Sequence, residues 1–403
     1  LFAPRLGVAY RWGSNTVIRS GYGISIDPST ISGAIQRPYP VVVGQQFSGP
    51  NTYVAYASLA QGIPLFSGPE VSSGLTPLPA TAQTQTQPGG LFPRGYIQSW
   101  NAIVERRLPV DLIASVGYVG THTVRQMVFY DINAGVPGLG LAGQPLYALW
   151  GRSATTSVLI PAFSAEYNAL QATLNRRFSQ GLLLKVSYTF SHAIDYTDDN
   201  AGSLTFNTPS QVNRNRARAG FDLTHIFQSA WVYDLPFGPG KSWLKKKGLA
   251  SALARDWQIN GVLSRYSGLP FTVTASGTSL NAPGNTQTAD QVKPAVEKYG
   301  EIGPGVPWFD TTAFASVTAA RYGTSGRNIM RGPGTFNLDL SLFRNIRLKE
   351  RFDLQFRGEA FNATNTPHFD NPAANVSTGS SFGTITSAGQ GGRVVRLALR
   401  LTF

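Results

Sequence analysis

The chain contains no cysteine, so neither a disulfide framework nor thiolate chemistry is open to it. It has no run of about 18 apolar residues, which excludes a transmembrane helix. Charged residues fill only 14% of its 403 positions, and helix start and stop signals are sparse. Leu1 to Gly7 lack the charged start, apolar stretch and small-residue cleavage site of an export signal, which is therefore expected upstream. Glycine (43) and proline (26) are plentiful, as many turns between many strands require. Two architectures remain: a soluble all-β protein, or a membrane barrel whose strands are short and only half apolar.

The formal charge is +13. The Lys and Arg residues are scattered rather than gathered into a basic stripe with interleaved aromatics, so nucleic acid is not an expected partner. Arg lining a polar lumen, with Lys and Arg in loops near lipid phosphates, accounts for the excess.

Period-2 alternation recurs in segments long enough to cross a bilayer at a tilt, roughly 9–11 residues each. Leu6, Val8, Tyr10 and Trp12 share one face of the first segment, and Ile18, Tyr22, Ile24 and Ile26 share one face of the second. The pattern continues through Trp100 to Leu108, Leu112 to Tyr118, Leu170 to Phe178, Leu182 to Phe190, Phe227 to Leu235 and Trp257 to Leu263. It ends with Phe336 to Leu342, Phe352 to Phe356 and Val395 to Phe403, eleven strands in all. The opposite faces are polar, as at Arg19, Asn101, Glu105, Asn337, Asp339, Arg357, Arg396 and Arg400.

A soluble sandwich also alternates, so the connections decide. They are short at 13–15, 109–111, 179–181 and 348–350, middling at 236–256, and long at 27–95, 127–166, 195–220, 276–334 and 366–392. Short periplasmic turns and long extracellular loops are the signature of an outer-membrane barrel. Trp12, Tyr118, Trp231, Tyr233 and Trp257 are expected at the membrane interfaces, where aromatic girdles lie.

The final strand ends on Phe403 with Leu401 and Leu399 at alternate positions before it, and resembles the terminal signal read by the barrel assembly machinery. Three blocks, Tyr167 to Phe178, Trp231 to Gly238 and Arg357 to Pro367, resemble the Oar-like TonB-dependent receptors, which often carry an amino-terminal carboxypeptidase-regulatory-like domain. The resemblance implies a 22-stranded barrel with an internal plug, energised by TonB through an amino-terminal region. Neither a plug nor a TonB box stands in these residues.

Other motifs lack their contexts. Gly138 to Gly143 matches a dinucleotide glycine pattern but lies between Pro137 and Pro145, with no strand before it. Gly240-Lys-Ser242 has Leu235 where a P-loop needs its first glycine. The histidines at 122, 192, 225 and 368 form no metal-spaced pair, and Asp195, Asp198, Asp199 and Asn200 lack calcium-loop spacing. No cofactor, metal or catalytic residue is expected. Lys241 to Arg255 reads either as a short helix, with Lys245, Lys246 and Lys247 near lipid phosphates, or as a basic turn.

Arg214, Arg216 and Arg218 alternate. If strand conformation reaches them, three guanidinium groups face the vestibule and gather an anionic solute. The competing reading pairs them with Asp195, Asp198 and Asp199.

The expectation is therefore all-β: an antiparallel transmembrane barrel portion, about eleven strands forming an open half of a 22-stranded barrel. It would serve as an outer-membrane receptor for uptake of a large solute, in contact with outer-membrane lipid and lipopolysaccharide. A surface adhesion or scaffold role for the long loops, or a soluble carbohydrate-binding protein, are the alternatives. Counting directions, the first and last strands both run towards the periplasm. Segments 4–12 and 393–403 are thus expected to be unpaired with each other.

Overall fold

The structure, a computed structural model, describes residues 2–26, 55–63, 72–73, 84–86, 93–199, 202–246, 248–349 and 352–403. Eleven long strands form one antiparallel meander in chain order. They are β1 (Arg5–Trp12), β2 (Thr16–Ile26), β3 (Tyr96–Arg107), β4 (Leu112–Asp131), β5 (Thr156–Ser179) and β6 (Leu182–Asp195). The remainder are β7 (His225–Asp234), β8 (Trp257–Tyr266), β9 (Thr335–Lys349), β10 (Phe352–Phe361) and β11 (Val394–Thr402). Among the described residues β1 pairs only with β2 and β11 only with β10, so the sheet is open there and its two edges are not joined to each other.

The short connections all fall at one end. Between β5 and β6, Gln180 and Gly181 both hold positive φ (51° and 78°), as a two-residue hairpin matched to strand twist requires. The connection from β7 to β8 contains a helix only at Leu249–Ala254, shorter than the 241–255 considered above.

The register resolves the phase of every strand. Leu6, Val8, Tyr10 and Trp12 lie opposite Tyr22, Ser20, Ile18 and Thr16. At the other edge, Leu342, Gly358 and Leu397 form one row, and Leu340, Ala360 and Val395 the next. Each expected apolar set thus falls on one continuous face. That face also requires two glycines: the rings of Trp100 and Trp231 lie across Gly120 and Gly261 of the neighbouring strand and leave no room for a Cβ there. The opposite face is cross-linked by polar side chains, including Arg19 to Glu105 (3.1 Å), Ser115 with Thr173 (2.7 Å) and Gln355 to Asn345 (2.7 Å).

β4 and β5 differ from the expectation. Segment 127–166 is not a loop throughout, because the two strands pair on to Asp131 and Ser157. A bulge at Arg125 (φ 60°) marks the change. Below it the strands are half-exposed, whereas above it Met127, Phe129 and Leu159 are buried against one another. Thr84–Thr86 and Gly202–Ser203 add parallel pieces to this upper extension, on β5 and β4 respectively.

The connections 132–155, 196–224, 267–334 and 362–393 fold together above the sheet into a cap. Phe271, Val273, Trp308, Phe309, Phe314, Met330 and Phe382 form its main core. Phe206, Leu280, Ala282 and Tyr322 form a second. Backbone bonds stitch separate connections together, such as Gly138 N–H to Leu280 O (2.8 Å), Thr286 N–H to Thr205 O (3.1 Å) and Trp308 N–H to Gly383 O (2.8 Å). Most of the 27–95 connection lies outside the described residues.

Candidate functional site

The cap is fastened to the end of β6 by Arg327, and by Arg331 through Asp222, whose carboxylate accepts from Ala193 N–H (2.7 Å). Arg327, from the 267–334 connection, is buried with Asp195, the last residue of β6. Its Nη1 lies 2.9 Å from Asp195 Oδ1, and its Nη2 reaches Asp198 Oδ1 at 2.6 Å. Nη1 also donates to the Asn215 carbonyl (2.8 Å). Burial pushes the Asp195 carboxyl up to about 6, against the lowering effect of Arg327. Arg331 pairs with Asp222, which also accepts from Arg218 (3.2 Å).

Arg214 braces two connections against each other within the cap. Its guanidinium stacks 4.7 Å from the Phe206 ring centroid and donates to the carbonyls of Gly323 and Ser325, both at 2.7 Å. A hollow of about 240 Å³ lies beside it, lined by Pro137, Gln211, Arg214, Arg321 and Tyr322 among others. Arg321 is held by a two-pronged contact with Asp290 (2.7 and 2.8 Å), which keeps that carboxyl below its ordinary range. The Tyr322 hydroxyl bonds Thr208, and burial raises its pKa.

The three expected vestibule arginines are therefore not one group. Residues 209–215 form a 3-10 helix that breaks the strand alternation at Arg214, and of the extended residues after it Ala217–Arg218 pair with the end of β6. Arg214 faces the cap interior, Arg216 pairs with Glu166 (3.3 Å), and Arg218 lies between His192 and Asp222. The competing reading is also corrected, since Asp195 and Asp198 are taken by Arg327 and not by these residues. Of the four residues weighed as calcium ligands and set aside, Asn200 lies outside the described residues.

A model of the outer membrane beta barrel domain matches residues 1–396. The chain belongs to the outer-membrane β-barrel family. The outer membrane transporter YddB from Escherichia coli is similar in fold, with a TM-score of 0.50 at 6% identity over 97% of this chain and 39% of that one. The pyoverdine receptor FpvA from Pseudomonas aeruginosa (TM-score 0.47, 10% identity, 100% of this chain and 36% of that one) also matches. So does BauA, the ferric preacinetobactin receptor from Acinetobacter baumannii (0.46, 9%, 100% and 36%). The chain thus spans little more than a third of the length of these solved proteins. No curated protein matches it in sequence.

In an outer-membrane barrel the apolar face meets lipid. Trp12, Tyr233 and Trp257 stand at the short-turn end of that face, and Trp231 one position further in. Tyr118 instead lies inside the band, opposite Leu170, with its hydroxyl bonded to Asn168, because β4 is longer than its alternation indicated. Leu399 and Leu401 lie on the lipid side of the edge strand β11, and Phe403 follows it, 89% exposed.

Proposed function

We propose that this chain forms the carboxy-terminal half of a 22-stranded, TonB-dependent receptor barrel that takes up a large solute. One observation carries the reading: eleven long strands, an odd number, whose two edges are unpaired among the described residues and run in the same direction beneath a packed cap. Bacterial single-chain barrels close antiparallel with an even count, so each edge calls for a further strand. Barrels of about 22 strands enclose a lumen wide enough to need a plug. In this reading the plug and the TonB-interacting region belong to sequence outside these residues. Leu399, Leu401 and Phe403 form the signal read by the assembly machinery. The solute first meets the cap, which stands above the lumen face of the sheet.

The test is accumulation, in cells carrying the whole protein, of a panel of labelled solutes too large for porins, with and without a protonophore. Accumulation abolished by the protonophore and by loss of the cap connection 267–334 is the expected result. A second reading, surface adhesion or scaffolding, is favoured by the cap having its own hydrophobic cores. It would gain if cells bound a surface partner through the cap but accumulated no solute.

A further inference from the structure

A cavity of about 820 Å³ lies at the long-loop end of β6 to β9. One register row across those four strands, Tyr188, Phe227, Arg265 and Phe336, forms much of its wall, and His225, Tyr266 and Thr335 close its upper edge. This row continues the lipid-facing surface, for Val186, Ser229, Leu263 and Leu338 form the row beneath it. β7 and β8 have ten residues each, about the number that crosses the hydrocarbon. The row lies close to their upper ends, which places it at the level of the outer-leaflet headgroups. The cap overhangs it with Lys298 and Arg331.

The charges here are unequal in their compensation. Arg331 is paired with Asp222. Lys298 has its ammonium 4.5 Å from the Trp308 ring centroid and, like Arg265, no acidic partner among the described residues. Burial lowers the Lys298 pKa, and the nearby Arg331 lowers it further. Arg265 is also the one cation in this row, whose other members are aromatic. A solute crossing the lumen would meet the opposite face, where Asn260 and Ser341 lie.

We propose that this cavity is a binding site for the phosphorylated headgroup of an outer-leaflet glycolipid. Arg265 and Lys298 contact the phosphate, and Tyr188, Phe227 and Phe336 flank the sugar and upper acyl chain. Aromatic rings commonly occupy this depth in barrels, and guanidinium and ammonium groups suit phosphate oxygens.

The experiment titrates the full-length protein, purified in detergent micelles, with a bisphosphorylated glucosamine glycolipid and reads bound lipid by native mass spectrometry. The same glycolipid stripped of phosphate, phosphatidylethanolamine and inorganic phosphate are the comparison ligands. The phosphorylated glycolipid should bind at least tenfold more tightly than all three. Arg265→Gln with Lys298→Gln should weaken it roughly tenfold or more, while Arg265→Lys with Lys298→Arg restores it and Arg357→Gln on the opposite face leaves it unchanged. Equal binding of the stripped glycolipid, or unchanged affinity in the double Gln variant, would overturn the proposal. Inorganic phosphate bound as tightly as the glycolipid would overturn it too, in favour of a free-anion site.

Discussion

The wall and the cap are built from one chain by different physics. In the wall, side chains at alternate positions face lipid or lumen, and few are fully buried. Below the Arg125 bulge, the buried hydrophobic residues of the long strands are only Ala169 and Ala193. In the cap, Phe206, Phe309, Val273 and Leu280 are sealed from solvent like the interior of a globular protein. Backbone hydrogen bonding along the meander and the surrounding lipid stabilise the wall, which tolerates much at its lumen face. Packing density and compensated charge stabilise the cap, so single atoms matter there. The two regions meet at the strand ends, where Arg327, and Arg331 through Asp222, fasten one to the other.

The largest effect is expected in the cap. Phe309 is fully buried, with the rings of Phe271, Phe314 and Phe382 at centroid distances of 6.0, 5.8 and 5.4 Å. Phe309→Ala should cost about 3–5 kcal/mol through lost burial and the cavity left behind. Amide exchange should show the loss in residues 271–331 while heat-modifiable gel migration of the barrel stays normal. If the barrel lost its heat modifiability as well, wall and cap would be one cooperative unit and the contrast would fail.

The wall should answer to depth instead. Leu340→Arg, on the lipid face near mid-strand, should cost about 2–4 kcal/mol, falling to about 0–1 near the interfaces. The same change at Ser341, one residue along and on the other face, should cost far less. Unfolding from detergent-matched vesicles measures both. Equal costs would mean that the face assignment of β9 is wrong.

This assignment was legible in the sequence, as was much of the wall. Period 2 is a local property, so alternation at 336–342 or 395–403 fixes which side chains share a face, and sorted connection lengths tell the two ends apart. The cap was hidden because its strands are mostly two or three residues long, too short to show a period. Its decisive contacts join residues about a hundred or more apart, such as Arg327 with Asp195. One signal was present. Phe271, Trp308, Phe309, Phe314 and Met330 are too many large apolar residues for a solvated connection, and they mark 267–334 as a folding unit. The vestibule arginines show the converse failure, where alternation in the sequence was carried past the point at which the backbone stays extended.

A smaller effect separates those arginines. Arg214→Gln would remove charge-assisted bonds to two carbonyls and a stack on Phe206, at a cost of about 1.5–3 kcal/mol to the cap. Arg216→Gln would lose a half-exposed pair with Glu166, worth about 0–1 kcal/mol. Thermal unfolding of the cap, followed by limited proteolysis, should rank them in that order. Comparable losses would indicate that Arg216 braces the cap as well.

The smallest effect has an unusual sign, and it tests the junction itself. Asp195 has a folded-state pKa raised from 3.8 to about 6, chiefly by burial. A carboxyl raised in this way binds its proton more tightly in the folded cap than in the unfolded chain. Its contribution therefore favours folding below about pH 3.8 and is lost progressively as pH rises to about 6. At neutral pH the ionised group is a net liability despite its bond to Arg327. Asp195→Asn, which imitates the protonated form, should leave the neutral-pH stability of the cap unchanged or slightly higher, and should flatten its dependence on pH between about 4 and 6. Arg327 keeps Asp198 and the Asn215 carbonyl as partners in that variant. Arg327→Gln should do the opposite, because it leaves two carboxylates facing one another without a cation. Unfolding midpoints of the cap across this pH range, for both variants and the parent, give the comparison. A clear loss of neutral-pH stability in Asp195→Asn would mean that the ion pair outweighs the cost of burying it.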